Sequence, residues 1–231
     1  MFTGFPKESI KFLKEIAKNN NKEWFEANKS RFERVIKEPS KEFVVEMGEH
    51  IQALVPTINA IPKVNGSLFR IYRDVRFSKD KTPIKTRIGL IFWQGRGKRL
   101  KSSCFYMHFN TKELFIASGI RWFDRPTLLA YREVIKDDHK RKELFQILEK
   151  LKAKGFQIAE PHYKRLPKGF DKQSEHVDLA LLDALFAGIT LDVKEYLFSD
   201  KLIDKCYECF ELMYDLHAWV YEMTLLVDET S

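Results

Sequence analysis

Residues 70–87 read RIYRDVRFSKDKTPIKTR, with seven Lys or Arg against two Asp in eighteen positions, so the cations repel one another unless something negative answers them. Arg offers a planar fork that fits a carboxylate or phosphate, and Lys a mobile point charge. The mixture therefore suits a phosphorylated or otherwise anionic small molecule. Arg70, Arg73, Arg76, Lys81 and Lys85 are the candidate ligand-binding residues, and Arg121, in GIRWFDRP, is a further candidate cation. Asp74 and Asp80 can orient the guanidinium forks, hold a divalent cation beside a phosphate, or serve as catalytic bases. His108, on a strand-like segment with Tyr106, is a third candidate for acid–base work.

A second reading competes with the first. Asp74 and Asp80 would then pair with neighbouring Arg and Lys as an internal salt-bridge latch, in a structural or interaction protein that binds nothing through the tract. A third reading widens the view to Lys63–Lys101, which holds twelve basic and two acidic residues, a local charge of +10 in a chain of net +7. Everything outside the window then sums to −3, and a charge so focused also fits a nucleic-acid backbone. Few aromatic residues interleave with the basic ones, which ranks nucleic acid below the small anion.

Other chemistries lack a signal. The six His show no HxH, HxxH or HExxH spacing, and Cys206–Cys209 has no second CxxC to complete a zinc site, so no metal is expected. No P-loop, GxGxxG or GxSxG is present, and no nucleophile–base pair stands at a diagnostic spacing. Whether the protein is an enzyme, which cofactor it would use and its oligomeric state stay open at this level.

These residues need a scaffold, and 231 residues with 44% hydrophobic content can bury one. No apolar run approaches the roughly 20 residues of a membrane span. The N-terminus lacks the pattern of a signal peptide, and three sparse Cys suit a reducing compartment, so a cytoplasmic protein is expected. Helical periodicity runs from Pro6 to Asn19, and again from Trp24 through Phe32, punctuated by Pro39 and continuing with the same period through Leu54. The pattern then turns strand-like: Leu68–Tyr72, a polar loop Asp74–Thr82, a central strand Arg87–Trp93, a basic turn Gln94–Lys101, and a hairpin over Ser103–Ser118. Helices follow at Pro126–Ile135 and Asp138–Lys154, a short strand at Phe156–Ala159, a helix at Ser174–Ala187, a strand at Ile189–Tyr196 and one long helix from Ser199. The order predicts an α+β fold, its mainly antiparallel sheet drawn from the middle of the chain and flanked by N- and C-terminal helices, in a single domain over 1–231.

The segments NNNKEWFEANK (19–29) and RIYRDVRFSKDKTPIK (70–85), with GIRWFDRPTLLAYREVI (119–135) and the LPKGFD loop (166–171), resemble the microbial family known as domain of unknown function 2461. The resemblance covers nearly the whole chain. It implies a compact α+β domain and no particular reaction.

Overall fold

The computed structural model describes residues 1–228. The fold is α+β, with an antiparallel six-stranded sheet formed from the middle of the chain onward. Its strands are β1 (Ile58–Asn59), β2 (Ile88–Gln94), β3 (Cys104–Phe109), β4 (Glu113–Ile120), β5 (Gln157–Ile158) and β6 (Leu185–Asp192), in the order β1-β2-β3-β4-β6-β5. Contacts divide the chain into two compact units. The first comprises Met1–Phe92, Tyr106–Ile116 and Thr190–Glu208; the second comprises Trp93–Phe105, Ala117–Ile189 and the chain from Cys209 on. Among the described residues no helix is long and apolar enough to cross a membrane.

The first unit opens with α1 (Glu8–Lys18), whose Phe12, Leu13 and Ile16 are buried at the spacing of one helical face. Asn19 closes it, and Asn21 starts α2 (Lys22–Ala27) by accepting the Trp24 N–H at 2.8 Å. Asn28 ends α2 and donates its amide to the Trp24 carbonyl at 2.9 Å. From there the helical period continues past Pro39 as predicted, and the punctuation takes the form of an irregular turn. α3 (Lys29–Phe32) runs through a π-helical turn, Glu33–Lys37, into α4 (Glu38–Leu54).

The reason lies in hydrogen bonding. Pro39 has no N–H for the carbonyl four residues back, Val35. The fully buried Ser9 hydroxyl of α1 donates to that carbonyl instead, at 2.7 Å. The wider π turn takes up the irregularity, and the helix continues.

The predicted strand Leu68–Tyr72 is a pair of isolated bridges, Leu68 to Leu90 and Tyr72 to Ile84. Residues 70–73 and 83–85 form two short antiparallel legs, joined by Arg73 N–H to Pro83 O at 2.8 Å and Lys85 N–H to Ile71 O at 2.9 Å. The polar residues 74–82 form the tip. Asn20 grips the far leg twice, its amide donating to the Ile84 carbonyl and its oxygen accepting the Ile84 N–H, both at 2.9 Å.

The predicted hairpin of β3 and β4 is present, turned by Asn110, whose side-chain oxygen accepts the Lys112 and Glu113 N–H groups at 2.8 and 3.0 Å.

In the second unit Asp124 caps α5 (Arg125–Val134) and Asp137 caps α6 (Asp138–Ala153), which ends at Gly155 with φ +86. The predicted helix over Ser174–Ala187 is a short 3-10 turn, Val177–Leu181, followed by β6. β6 pairs antiparallel with β5, Gln157 opposite Gly188 and Ile158 opposite Ala187. Gly119 of β4 has φ +114, and a Cβ there would lie 2.2 Å from the Leu185 carbonyl oxygen. Only glycine admits so close an approach.

The predicted strand Ile189–Tyr196 keeps only its first residues. Asp192 accepts the Lys194 N–H at 2.8 Å and starts a helical turn, α7 (Val193–Tyr196). The helix from Ser199 is realised as α8 (Lys201–Leu212) and α9 (Tyr214–Asp228), interrupted at Met213. There one N–H is shared between the Cys209 and Phe210 carbonyls, both at 3.2 Å.

Candidate functional site

A cleft of about 220 Å³ lies within the first unit. One wall comes from α2, α3 and the π turn through Phe25, Phe32 and Ile36; the other comes from Leu68, Ile71 and the start of β2 at Ile88 and Leu90. The walls follow from the folding just described. The π turn swings Ile36 and Lys37 towards the cleft, and the bridge of Leu68 to Leu90 lays the first leg of the basic tract along β2. Tyr72 fixes that leg against α2: its ring meets Phe25 edge-on at 5.4 Å, and its hydroxyl donates to Glu26 at 2.6 Å. The acceptance by Glu26 pushes the Tyr72 phenol up to about 12, so it stays protonated at neutral pH. Gly89 lets Tyr106 and Phe69 pack close against β2, since a Cβ there would press on Tyr106 Oη at 3.0 Å and on Phe69 at 3.2 Å.

The apolar walls carry a charged margin of Lys29, Glu33, Lys37, Arg70 and Arg87. Lys37 pairs with Glu33 at 2.8 Å and Lys29 with Glu26 at 3.5 Å. Arg70 stands 3.9 Å from Asp74, at the outer limit of an ion pair. Arg87 makes no hydrogen bond or ion pair among the described residues. An apolar cavity ringed by Arg with spare donors can take up an anion that carries an apolar body.

The remaining tract residues lie outside the lining. Arg73 binds Asp80 and Thr82 across the tip. Arg76 closes on Asp74 through two bonds, 3.0 and 2.8 Å. Lys81 donates to the Val75 carbonyl at 3.0 Å and Lys85 to the Arg70 carbonyl at 2.8 Å. Lys79, like Arg87, has no partner among the described residues. The Arg76 bond, with its backbone N–H, holds the Asp74 carboxyl down to about 2, and Arg73 with Thr82 lowers Asp80 further still. Carboxylates this acidic are weak bases, which bears on both as catalytic candidates.

His108 is buried on β3 between the rings of Tyr106 and Phe115, at 5.6 and 5.2 Å, and does not line the cleft. Arg121 is exposed in the second unit beside Trp122.

The cleft thus draws one predicted residue, Arg70, together with several that sequence reasoning passed over: Arg87, Lys29, Lys37, Tyr72 and the apolar walls. Arg87 was visible as the last cation of the tract. Phe32 and Ile36 were visible only as an apolar stripe, which reads as core.

The second unit holds a hydroxyl–imidazole–amide series outside any diagnostic spacing. Ser103 Oγ lies 3.1 Å from His217 Nδ1, and His217 Nε2 lies 2.9 Å from Gln94 Oε1. Ser103 and His217 are fully buried, and the imidazole stacks on Phe105 at 4.2 Å. Burial pushes His217 down to about 3, keeping it neutral. A serine without access to solvent meets no substrate, so this series packs the core. Cys206 and Cys209 are likewise buried in α8, free of disulfides. Among the described residues no three His, Cys, Asp or Glu gather where they could hold a metal ion.

No curated protein matches the chain in sequence. The family described as "Conserved hypothetical protein (DUF2461)" matches residues 8–219, which take in most of each unit and the whole of the basic tract. The chain belongs to that family.

Proposed function

We propose that the protein binds a small anionic molecule in the cleft of the first unit, with Arg70 and Arg87 receiving the charge. The observation that carries this reading is Arg87, a cation on the margin of an apolar cleft with no internal partner. Arg70 supports it, because Asp74 gives its closer contacts to Arg76. A cytoplasmic setting belongs to the same proposal, supported by three cysteines none of which is in a disulfide among the described residues.

The test is sulfate or phosphate titration by calorimetry on the wild type, the Arg70→Ala/Arg87→Ala double variant and Arg76→Ala as a surface control. Binding lost in the double variant and kept in the control is expected. Equal binding by all three proteins refutes the site.

The other half of the tract favours a structural reading of its own. Arg73 with Asp80 and Thr82, and Arg76 with Asp74, satisfy one another across the tip. The latch drawn this way pairs Arg73 with Asp80, not with its neighbour Asp74. It is solvent-exposed, and ion pairs in that setting order a loop more than they stabilise a fold.

A further inference from the structure

Resting on the reading above, we infer that the ligand is an amphipathic anion: a carboxylate or phosphate head on an apolar body about the size of an octyl chain or a phenylpropyl group. Five of the margin's side chains are charged, while the interior between the π turn and β2 presents Phe25, Ile36, Leu68, Ile88 and Leu90. A hydrophilic anion such as inorganic phosphate would use the margin and leave that interior unfilled.

Size points the same way. An apolar cavity of about 150 Å³ is enough to hold benzene. At about 220 Å³ this cleft takes a ring with a short chain, or a medium-length acyl chain. The walls are also set rather than pliant. Ile36 is fixed by a helix whose irregular turn is satisfied by Ser9, and Leu68 by its bridge to Leu90, so little ordering is needed on binding.

Charge sets the orientation. The acidic partners at the margin are committed to Lys29 and Lys37, and the cations with spare donors, Arg70 and Arg87, both come from the sheet side. The head therefore sits over the tract and β2, and the body points towards the π turn.

The experiment is calorimetric titration of the full chain with acetate, butyrate, hexanoate, octanoate, octyl phosphate, octylamine and inorganic phosphate. Affinity should rise about fourfold per methylene while the chain is entering the cleft, following the transfer of each CH₂ out of water. Octylamine should not compete. Arg87→Ala should weaken octanoate at least about tenfold. Val64→Trp, at an exposed lining position that tolerates a larger side chain, should block octanoate and leave inorganic phosphate unaffected.

If inorganic phosphate and acetate bind as tightly as octanoate, the amphipathic ligand is refuted and the anion site stands. If no anion binds, both readings fall. Octanoate binding that ignores both Arg87→Ala and Val64→Trp, or octylamine binding as tightly as octanoate, also overturns the proposal.

Discussion

Replacing Ser9 by Ala removes one hydroxyl from the core and tests the account of the helix that builds the cleft. Ser9 is fully buried, and its Oγ donates to the Val35 carbonyl at 2.7 Å. The α-helical donor for that carbonyl would be the N–H of residue 39, and residue 39 is Pro. Without Ser9 the carbonyl loses this buried donor, at a cost of about 1–3 kcal/mol. For a chain of this length a loss of 1 kcal/mol lowers the melting midpoint by about 2–4 °C, so a drop of ~2–12 °C is expected. The decisive comparison is a double-mutant cycle. Pro39→Ala restores an N–H that can reach Val35, so Ser9→Ala should cost at least ~1 kcal/mol less in that background. Urea unfolding of the four proteins gives the coupling directly. Equal losses from Ser9→Ala in both backgrounds would refute the claim that Ser9 stands in for the missing proline bond.

Two further outcomes follow from the second unit. Gly119→Ala forces a side chain into a backbone with φ +114 and towards the Leu185 carbonyl, and the strain alone costs on the order of 1–3 kcal/mol. An unchanged thermal midpoint would show that β4 and β6 do not pack as described. His217 titrates at about 3 when folded against 6.5 for the free side chain. As pH falls from 6.5 the unfolded chain takes up a proton that the folded one refuses, so stability falls by about 1.4 kcal/mol per pH unit from this group until pH nears 3. His217→Phe, which keeps the stack on Phe105, should reduce the slope of urea stability between pH 6 and 4 by that amount; an identical slope in the variant would contradict the burial argument.

The elements that sequence showed well are those whose pattern has one solution. Ser103–Asn110 alternates, and the turn residues Asn110–Glu113 lead it into the apolar Leu114–Ser118, a pattern that a hairpin satisfies. Residues 177–190 show the opposite case. VDLALLDALFAGIT fits a helical period and a buried strand equally, and what decides is a partner: β5 on one side and a glycine of β4 on the other, neither visible locally.

Pro39 marked an irregularity without showing its form for a similar reason, since a donor to the Val35 carbonyl comes from Ser9, thirty residues upstream of the proline. At the site, charge density pointed to the right segment and gave no allocation of partners. The partition of the tract into latch and cleft margin depends on the fold of the legs, 70–73 against 83–85. An apolar stripe says that Phe32 and Ile36 face inward, and is silent on whether they meet another wall or a cavity.

The double grip of Asn20 on Ile84 gives the two halves of the tract different responses to ionic strength. The bonds that hold the far leg are between neutral amides, and Tyr72 bridges Ile84 through backbone groups. Added salt screens the exposed pairs at the tip and the pull of Arg70 and Arg87 on an anion, yet leaves neutral hydrogen bonds nearly untouched. Arg70 therefore stays aimed at the cleft in concentrated electrolyte, where its attraction for a charged head has faded and only the apolar body still holds a ligand in place.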